Sequence, residues 1–216
     1  MTGTRKEGNQ KMNVHCLDSG RTALDKKDII EFFDELAPGW DQDLVVDTTK
    51  INTILDAAGI TENVRVLDVA CGTGVLFPFY RQRQVADVLA VDISAQMARI
   101  AAQKALSPIR VVCGDIESMP GTGDFDRCVV YNAFPHFPEP ARLVRQLSSW
   151  LKPGGRLTVA HGMSLEQLNQ HHSGRAAKVS MGMMPAGDLA EIFGQWFLVD
   201  TMVSDREKYI VSGTLR

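Results

Sequence analysis

Eleven residues constrain this chain more than any others: Val64 to Gly74, reading VRVLDVACGTG. A mostly apolar run, interrupted by Arg65 and Asp68, leads straight into a glycine-rich turn, and an apolar helix is expected from about Val75. With Val66, Leu67 and Val69 putting apolar side chains on both faces, the run suits a buried strand, as in a parallel sheet wound by helices. Glycines at 72 and 74 let the chain turn tightly and let a ligand approach backbone N–H groups, while the helix N-terminus beyond adds partial positive charge. Position 77 is Phe77, so the third glycine of a dinucleotide fingerprint is missing.

The surrounding pattern extends this reading. Strands are expected at 64–69, 87–91, 109–113, 126–131 and 156–160, and helices at 74–83, 94–105 and 139–151. Ser94 is placed to cap the helix bearing Met97 and Ile100, and Pro153-Gly154-Gly155 reads as a sharp turn into the next strand. Two amphipathic helices precede the sheet, at 26–36 and about 48–58, the second with Gly59 as a C-terminal cap. After a loop rich in His, Gly and Met come a helix at 186–195 and an antiparallel hairpin from 197–203 and 208–214 around the polar turn Ser204 to Glu207. The fold class is α/β, with a doubly wound, mostly parallel sheet closed by an antiparallel hairpin. Residues 1 to about 25 carry few large apolar side chains; they are expected to be a mobile extension of one domain at 26–216, with Met12 an alternative start.

Function enters through acids at strand ends. Asp92 ends the second strand and is placed to accept hydrogen bonds from the two hydroxyls of a ribose. Asp115 ends the third beside Ile116, an arrangement suited to an adenine amino group and ring face. Ligands of such sheets bind outside the carboxyl ends of the strands, where these acids and the glycine turn converge.

The order and spacing of FFDELAPGWD, LDVACGTG, AVDIS, GDIESMP, DFDRCVVYNAFPHF and LKPGGRL resemble the class I S-adenosylmethionine-dependent methyltransferases, in the branch similar to ubiquinone and menaquinone C-methyltransferases. The resemblance runs from about Ile29 to Arg216 and implies a seven-stranded Rossmann-like sheet whose last strand is antiparallel. It implies a site for S-adenosyl-L-methionine, leaving S-adenosyl-L-homocysteine as product. Asp68, Ala70 and the Gly72-Thr73-Gly74 turn would face the methionine part, Asp92 with Ile93 and Met97 the ribose side, Asp115 and Ile116 the adenine, and Asn132 the sulfonium. Trp40 would belong to a lid, or else be a core aromatic. Some members have glycine where this chain has Ala70. Asn132-Ala133-Phe134-Pro135 departs from the Asn/Asp-Pro-Pro-aromatic motif of enzymes that methylate nucleobase amino groups.

Charge agrees with that last point. A formal net charge of −3 lacks the basic excess of a nucleic-acid binder, so the expected acceptor is a small molecule whose nucleophile is oxygen, sulfur, nitrogen or carbon. Alignment of nucleophile, methyl and sulfur for in-line transfer can supply about 7–11 kcal/mol. A base is needed only for a poorly ionised acceptor such as a phenol of pKa ~10. His161, at the end of the fifth strand, and His172 lead as substrate-facing residues, with His136, in FPHF, a further candidate or a packed loop histidine. No metal is expected; the weak alternative is a site from His161, His172 and Glu166.

Other features read plainly. The loop from Ser180 to Pro185 either fills core or lines an apolar pocket, and Lys26-Lys27 reads as a solvated face. Cys16, Cys71, Cys113 and Cys128 form no CxxC pair and read as reduced thiols. With no signal peptide or spanning run, the expected location is the cytoplasm and the expected state a monomer or homodimer. Competing functions are a cofactor-binding sensor or partner subunit without turnover and, more remotely, a nicotinamide-dependent dehydrogenase.

Overall fold

A computed structural model describes residues 24–42, 44–171 and 175–216. The expected extension, apart from its last two residues, lies outside that range. The sheet has seven strands: β1 (Arg65–Val69), β2 (Asp87–Asp92), β3 (Ile109–Cys113), β4 (Phe125–Tyr131), β5 (Leu151–His161), β6 (Phe197–Ser204) and β7 (Tyr209–Leu215). Their order is β3-β2-β1-β4-β5-β7-β6; β1 to β5 pair in parallel, and β7 runs antiparallel to both β5 and β6. The expected fold class is the one observed.

Alternation along each strand explains why both faces are covered. Leu67 and Val69 of β1, Leu89 and Val91 of β2, and Cys128 and Val130 of β4 face one layer, where Leu143, Val144 and Leu147 of α5 (Pro140–Ser148) and Leu189 and Phe193 of α7 (Ala186–Phe193) complete the core. The intervening Val66, Val88, Ala90 and Val129 face the other, against Ile51 and Leu55 of α2 (Thr48–Ala57), Phe79 and Tyr80 of α3 (Phe77–Gln82) and Ala101 of α4 (Ala95–Lys104). The chain builds outward from β1 to β3, then returns to place β4 on the opposite side of β1. A crevice therefore opens at the carboxyl ends of β1 and β4.

Several boundaries differ from expectation, each for a local reason. The helix expected from 74 starts at Phe77, because Pro78 lacks an amide hydrogen and fits only a first turn; residues 72–76 are turns. The helix expected to reach 151 stops at Ser148, since Leu151 pairs with Phe125 and opens β5 early; Pro153-Gly154-Gly155 lies inside that strand at an irregularity, with Gly154 at φ +75°. The expected loop after β5 contains α6 (Leu165–His171). Ser164 and Gln167 cap it reciprocally, each accepting the other's backbone N–H, a Ser-x-x-Gln signal legible in SLEQ.

The first helix, α1 (Lys26–Leu36), begins at Asp25, whose side chain accepts from the Lys27 amide, and a 3-10 turn over Ala37–Gly39 carries the chain on to Trp40. Its docking depends on Ser94. The Ser94 hydroxyl accepts from the Met97 amide, capping α4, and donates to Asp34 of α1 at 2.5 Å. Among the described residues no helix is long and apolar enough to cross a membrane. Replacing Ser94 with Ala should lower unfolding free energy by about 0.5–2 kcal/mol, the range for loss of a cap. A urea melt with unchanged slope and lower midpoint would show it.

Candidate active site

The strand-end crevice holds a cavity of about 770 Å³. One wall comes from the loops after β1, β2 and β3: Ala70, Gly72, Thr73, Asp92, Ile93, Met97, Asp115 and Ile116. The opposite wall is apolar and comes from α1 and the segments after β4 and β5, including Phe33, Trp40, His136, Phe137, Met163 and Leu168. Asn132 and His161 lie on the lining as well. The structure thus brings together most of the residues expected at a site, although they span more than a hundred positions.

Asp92 organises the first wall. Its Oδ2 accepts the Gly72 amide at 2.8 Å and its Oδ1 the Ser94 amide at 2.9 Å, which ties the turn after β1 to the end of β2. Burial raises its carboxyl above the usual range, and the two amide donors oppose that rise. Gly72 has φ +55°, and a Cβ there would meet nothing within 4 Å, so the space above the turn is open to a ligand. Ala70, at φ +53°, occupies a left-handed conformation that costs a residue with Cβ roughly 1–2 kcal/mol.

Two expected residues stand behind this wall. Gly74 is not on the lining; its φ of +88° and the Phe77 ring, 2.5 Å from where a Cβ would sit, require glycine for packing. Asp68 is sealed beneath the turn at 2% exposure, and its Oδ2 has no hydrogen-bond partner among the described residues. Burial, partly offset by the nearby Tyr80 hydroxyl and reinforced by the charge of Asp92, pushes Asp68 up to about 8. Direct contact between Asp68 and a ligand in the cavity is therefore not part of this geometry.

Asp115 is held on all sides. Its Oδ1 accepts the Glu117 amide, and its Oδ2 accepts the Ser118 hydroxyl at 2.7 Å and the Lys26 ammonium at 2.6 Å. Although burial opposes it, these donors lower the Asp115 carboxyl. Lys26 is consequently no solvated surface charge, in contrast to its exposed neighbour Lys27, because the first turn of α1 places it over the cavity.

Asn132, at φ +55°, joins two strand ends by accepting the Gly162 amide on its side-chain oxygen. His136 lies in a 3-10 turn; its Nδ1 is 2.7 Å from the Val179 carbonyl and its ring meets Phe33 edge-on at 4.9 Å. A carbonyl oxygen only accepts, so Nδ1 carries a proton there. His161 is 1% exposed, with its ring edge-on to Tyr209 at 6.2 Å. His172 lies outside the described residues. Glu166 is exposed on α6, accepts from Gln170 and is not on the lining; among the described residues no three His, Cys, Asp or Glu side chains gather as a metal site.

Trp40 meets Phe33 edge-on at 5.9 Å, so it belongs to the cover over the cavity. The methionine loop does not line it: Met183 is buried in the core and Met184 packs beside it. Sequence reasoning missed Lys26, Phe33, Glu117, Phe137, Met163 and Leu168. Glu117 stood in the same motif as Asp115, whereas the apolar residues carried no signal beyond helix periodicity or a loop position.

Asp68 generates a prediction for the ligand-free protein. Its native pKa of about 8 exceeds the ordinary 3.8, so the native state holds a proton that the unfolded state has released between those values. Stability from this group is full below pH ~4 and declines until pH ~8. Asp68→Asn should raise the melting temperature at pH 8 relative to wild type and change it little at pH 4.

Residues 66–155 match the family described as methyltransferase domain. The demethylmenaquinone methyltransferase of Renibacterium salmoninarum is 30% identical over 148 residues, covering 65% of this chain and 62% of that one. The chain thus spans about three fifths of that relative's length. Among solved structures, the complex of the Trm112 methyltransferase activator and a methyltransferase from Haloferax volcanii matches with TM-score 0.72 at 16% identity, over 87% of this chain and 96% of that chain. The geranyl diphosphate C-methyltransferase of Streptomyces coelicolor, solved with Mg2+, geranyl diphosphate and S-adenosyl-L-homocysteine, matches with TM-score 0.63 at 14% identity, over 79% and 81%. At such identities these two likenesses concern the fold. Residues 66–155 thus match a methyltransferase domain, and the chain is similar over about two thirds of its length to a demethylmenaquinone methyltransferase.

Proposed function

We propose that the chain transfers a methyl group from S-adenosyl-L-methionine to a small, uncharged and largely apolar acceptor held in the strand-end cavity. The observation that carries this reading is the cavity's two unlike walls, one built of turn backbone and carboxylates and the other of aromatic and aliphatic side chains. Asp92 would take the ribose hydroxyls with the lone pairs its amide donors leave over, Asp115 and Ile116 the adenine, Ile93 and Met97 the adjoining apolar edge, and Ala70, Gly72 and Thr73 the methionine part. The open space above Gly72 fits such a group. When bound, S-adenosyl-L-methionine supplies a methyl group already activated on a sulfonium.

What remains for the protein is to position the acceptor, exclude water and receive a proton. Phe33, Trp40, Phe137, Met163 and Leu168 form an apolar wall. Lys26, the one lysine or arginine on the described wall, is already held by two carboxylates, so an anionic acceptor finds no ready counter-ion there. His136 is taken as the base for a hydroxyl or thiol acceptor because its ring lies on the cavity lining, with Nδ1 held at the Val179 carbonyl and the ring edge-on to Phe33. His161 packs the acceptor end from the strand side. The free thiols of buried Cys71 and Cys128 support the cytoplasmic location expected for this activity.

Calorimetric titration tests the cofactor half. S-adenosyl-L-homocysteine should bind and NADH should not, and Asp92→Ala should weaken binding at least tenfold, about 1.4 kcal/mol. Binding of NADH alone would overturn the reading. For the chemistry, a phenol screen should yield a methylated product, with His136→Gln lowering kcat/KM by roughly 10²- to 10⁴-fold and removing the acid limb of its pH profile. A His136→Gln enzyme with an unchanged profile would remove His136 from the proton transfer.

A further inference from the structure

Asp115 and Glu117 stand two residues apart in the loop after β3, both on the cavity lining, and both face the ammonium of Lys26 at 2.6 and 2.9 Å. Glu117 has no role in the function proposed above, yet its side chain is only 2% exposed. Its Oε2 meets Lys26, while its Oε1 has no hydrogen-bond partner among the described residues and has Arg142 Nε at 3.9 Å. A buried carboxylate so incompletely paired is costly to keep, and what it secures is Lys26.

Two more contacts of the same cover fall on the same rim. Asp34 of α1 accepts the Ser94 hydroxyl and the Gln96 amide, and Asp41, just beyond the 3-10 turn, accepts the Thr73 hydroxyl at 2.6 Å. The three attachments therefore land on the loops following β1, β2 and β3, which form the carboxylate wall. Of the three, the Lys26 attachment is the one that sits directly on Asp115. Asp115 Oδ2 already accepts from Ser118 and Lys26 and Oδ1 accepts the Glu117 amide, so an arriving amino group has the second lone pair of Oδ1 to bind, and it can do so with Lys26 still in place.

We propose that Lys26, anchored by the buried carboxylate of Glu117, is a cofactor-retaining residue: it locks α1 across the adenine end of the cavity and must release each time cofactor or product leaves. This rests on the cofactor reading above. Lys26 and Glu117 then act on the lifetime of the complex rather than on methyl transfer itself, and a conservative cation at position 26 suffices. The ion pairs also explain why Lys26 is held fully charged, since both carboxylates raise its pKa against the opposing effect of burial.

The test is dissociation of S-adenosyl-L-homocysteine from the full-length protein, followed by stopped-flow tryptophan fluorescence with Trp40 in the cavity wall as reporter. Lys26→Met should speed dissociation about tenfold or more, Lys26→Arg should stay within threefold of wild type, and Lys27→Met, whose side chain is exposed, should stay within twofold. Glu117→Gln should match Lys26→Met; if it fails to fold, the position-26 pair decides alone. Dissociation from Lys26→Met within twofold of wild type, or slower than wild type, overturns the retaining role while leaving the cofactor reading intact. Absence of binding to the wild-type protein overturns both.

Discussion

The carboxylate of Asp92 is the joint on which the site depends. By accepting the amides of Gly72 and Ser94 it fixes the turn after β1 against the end of β2 and sets the start of α4. Ser94 passes that order on to Asp34, so the placement of α1 over the cavity follows from how β2 ends. Two backbone donors on a buried carboxylate make a rigid unit, since neither donor can leave without stranding a buried polar group. An acid at this point thus does structural work and keeps lone pairs for a ligand.

Around that joint the cavity is divided by chemistry. The sheet side offers short turns whose backbone is exposed because side chains are small or absent, and the cover offers Phe33 as a hub that meets Phe32, Trp40 and His136 edge-on. Polar recognition of a cofactor and apolar recognition of an acceptor are thereby assigned to elements of different origin. The strand-end turns are set by the sheet, whereas α1 and the segments after β4 and β5 are attached to it.

Much of the fold was legible because local rules point one way. Doubly buried strands read as mostly apolar runs, the cap at Ser94 as a serine before a helical stripe, and the hairpin as two apolar runs around a polar turn. Boundaries slipped where a local rule had been given too little weight: Pro78 delays α3, and the Ser164–Gln167 box starts a helix inside an expected loop. The cofactor wall was legible because its acids stand at strand ends, whose positions follow from the pattern. The acceptor wall was not, because an aromatic that lines a cavity and one that fills a core share the same spacing.

By itself, the sequence determined the sheet, the turn that opens the crevice and the carboxylates on its rim, all of them consequences of periodicity and short-range backbone geometry. Tertiary structure alone decided that Asp68 is sealed beneath the turn, that His136 meets the Val179 carbonyl beside the cover, and that Lys26 meets Asp115 across 89 positions of chain. Those outcomes depend on desolvation and on contacts between residues far apart in sequence. Neither exists until the sheet has closed and brought α1 down onto its edge.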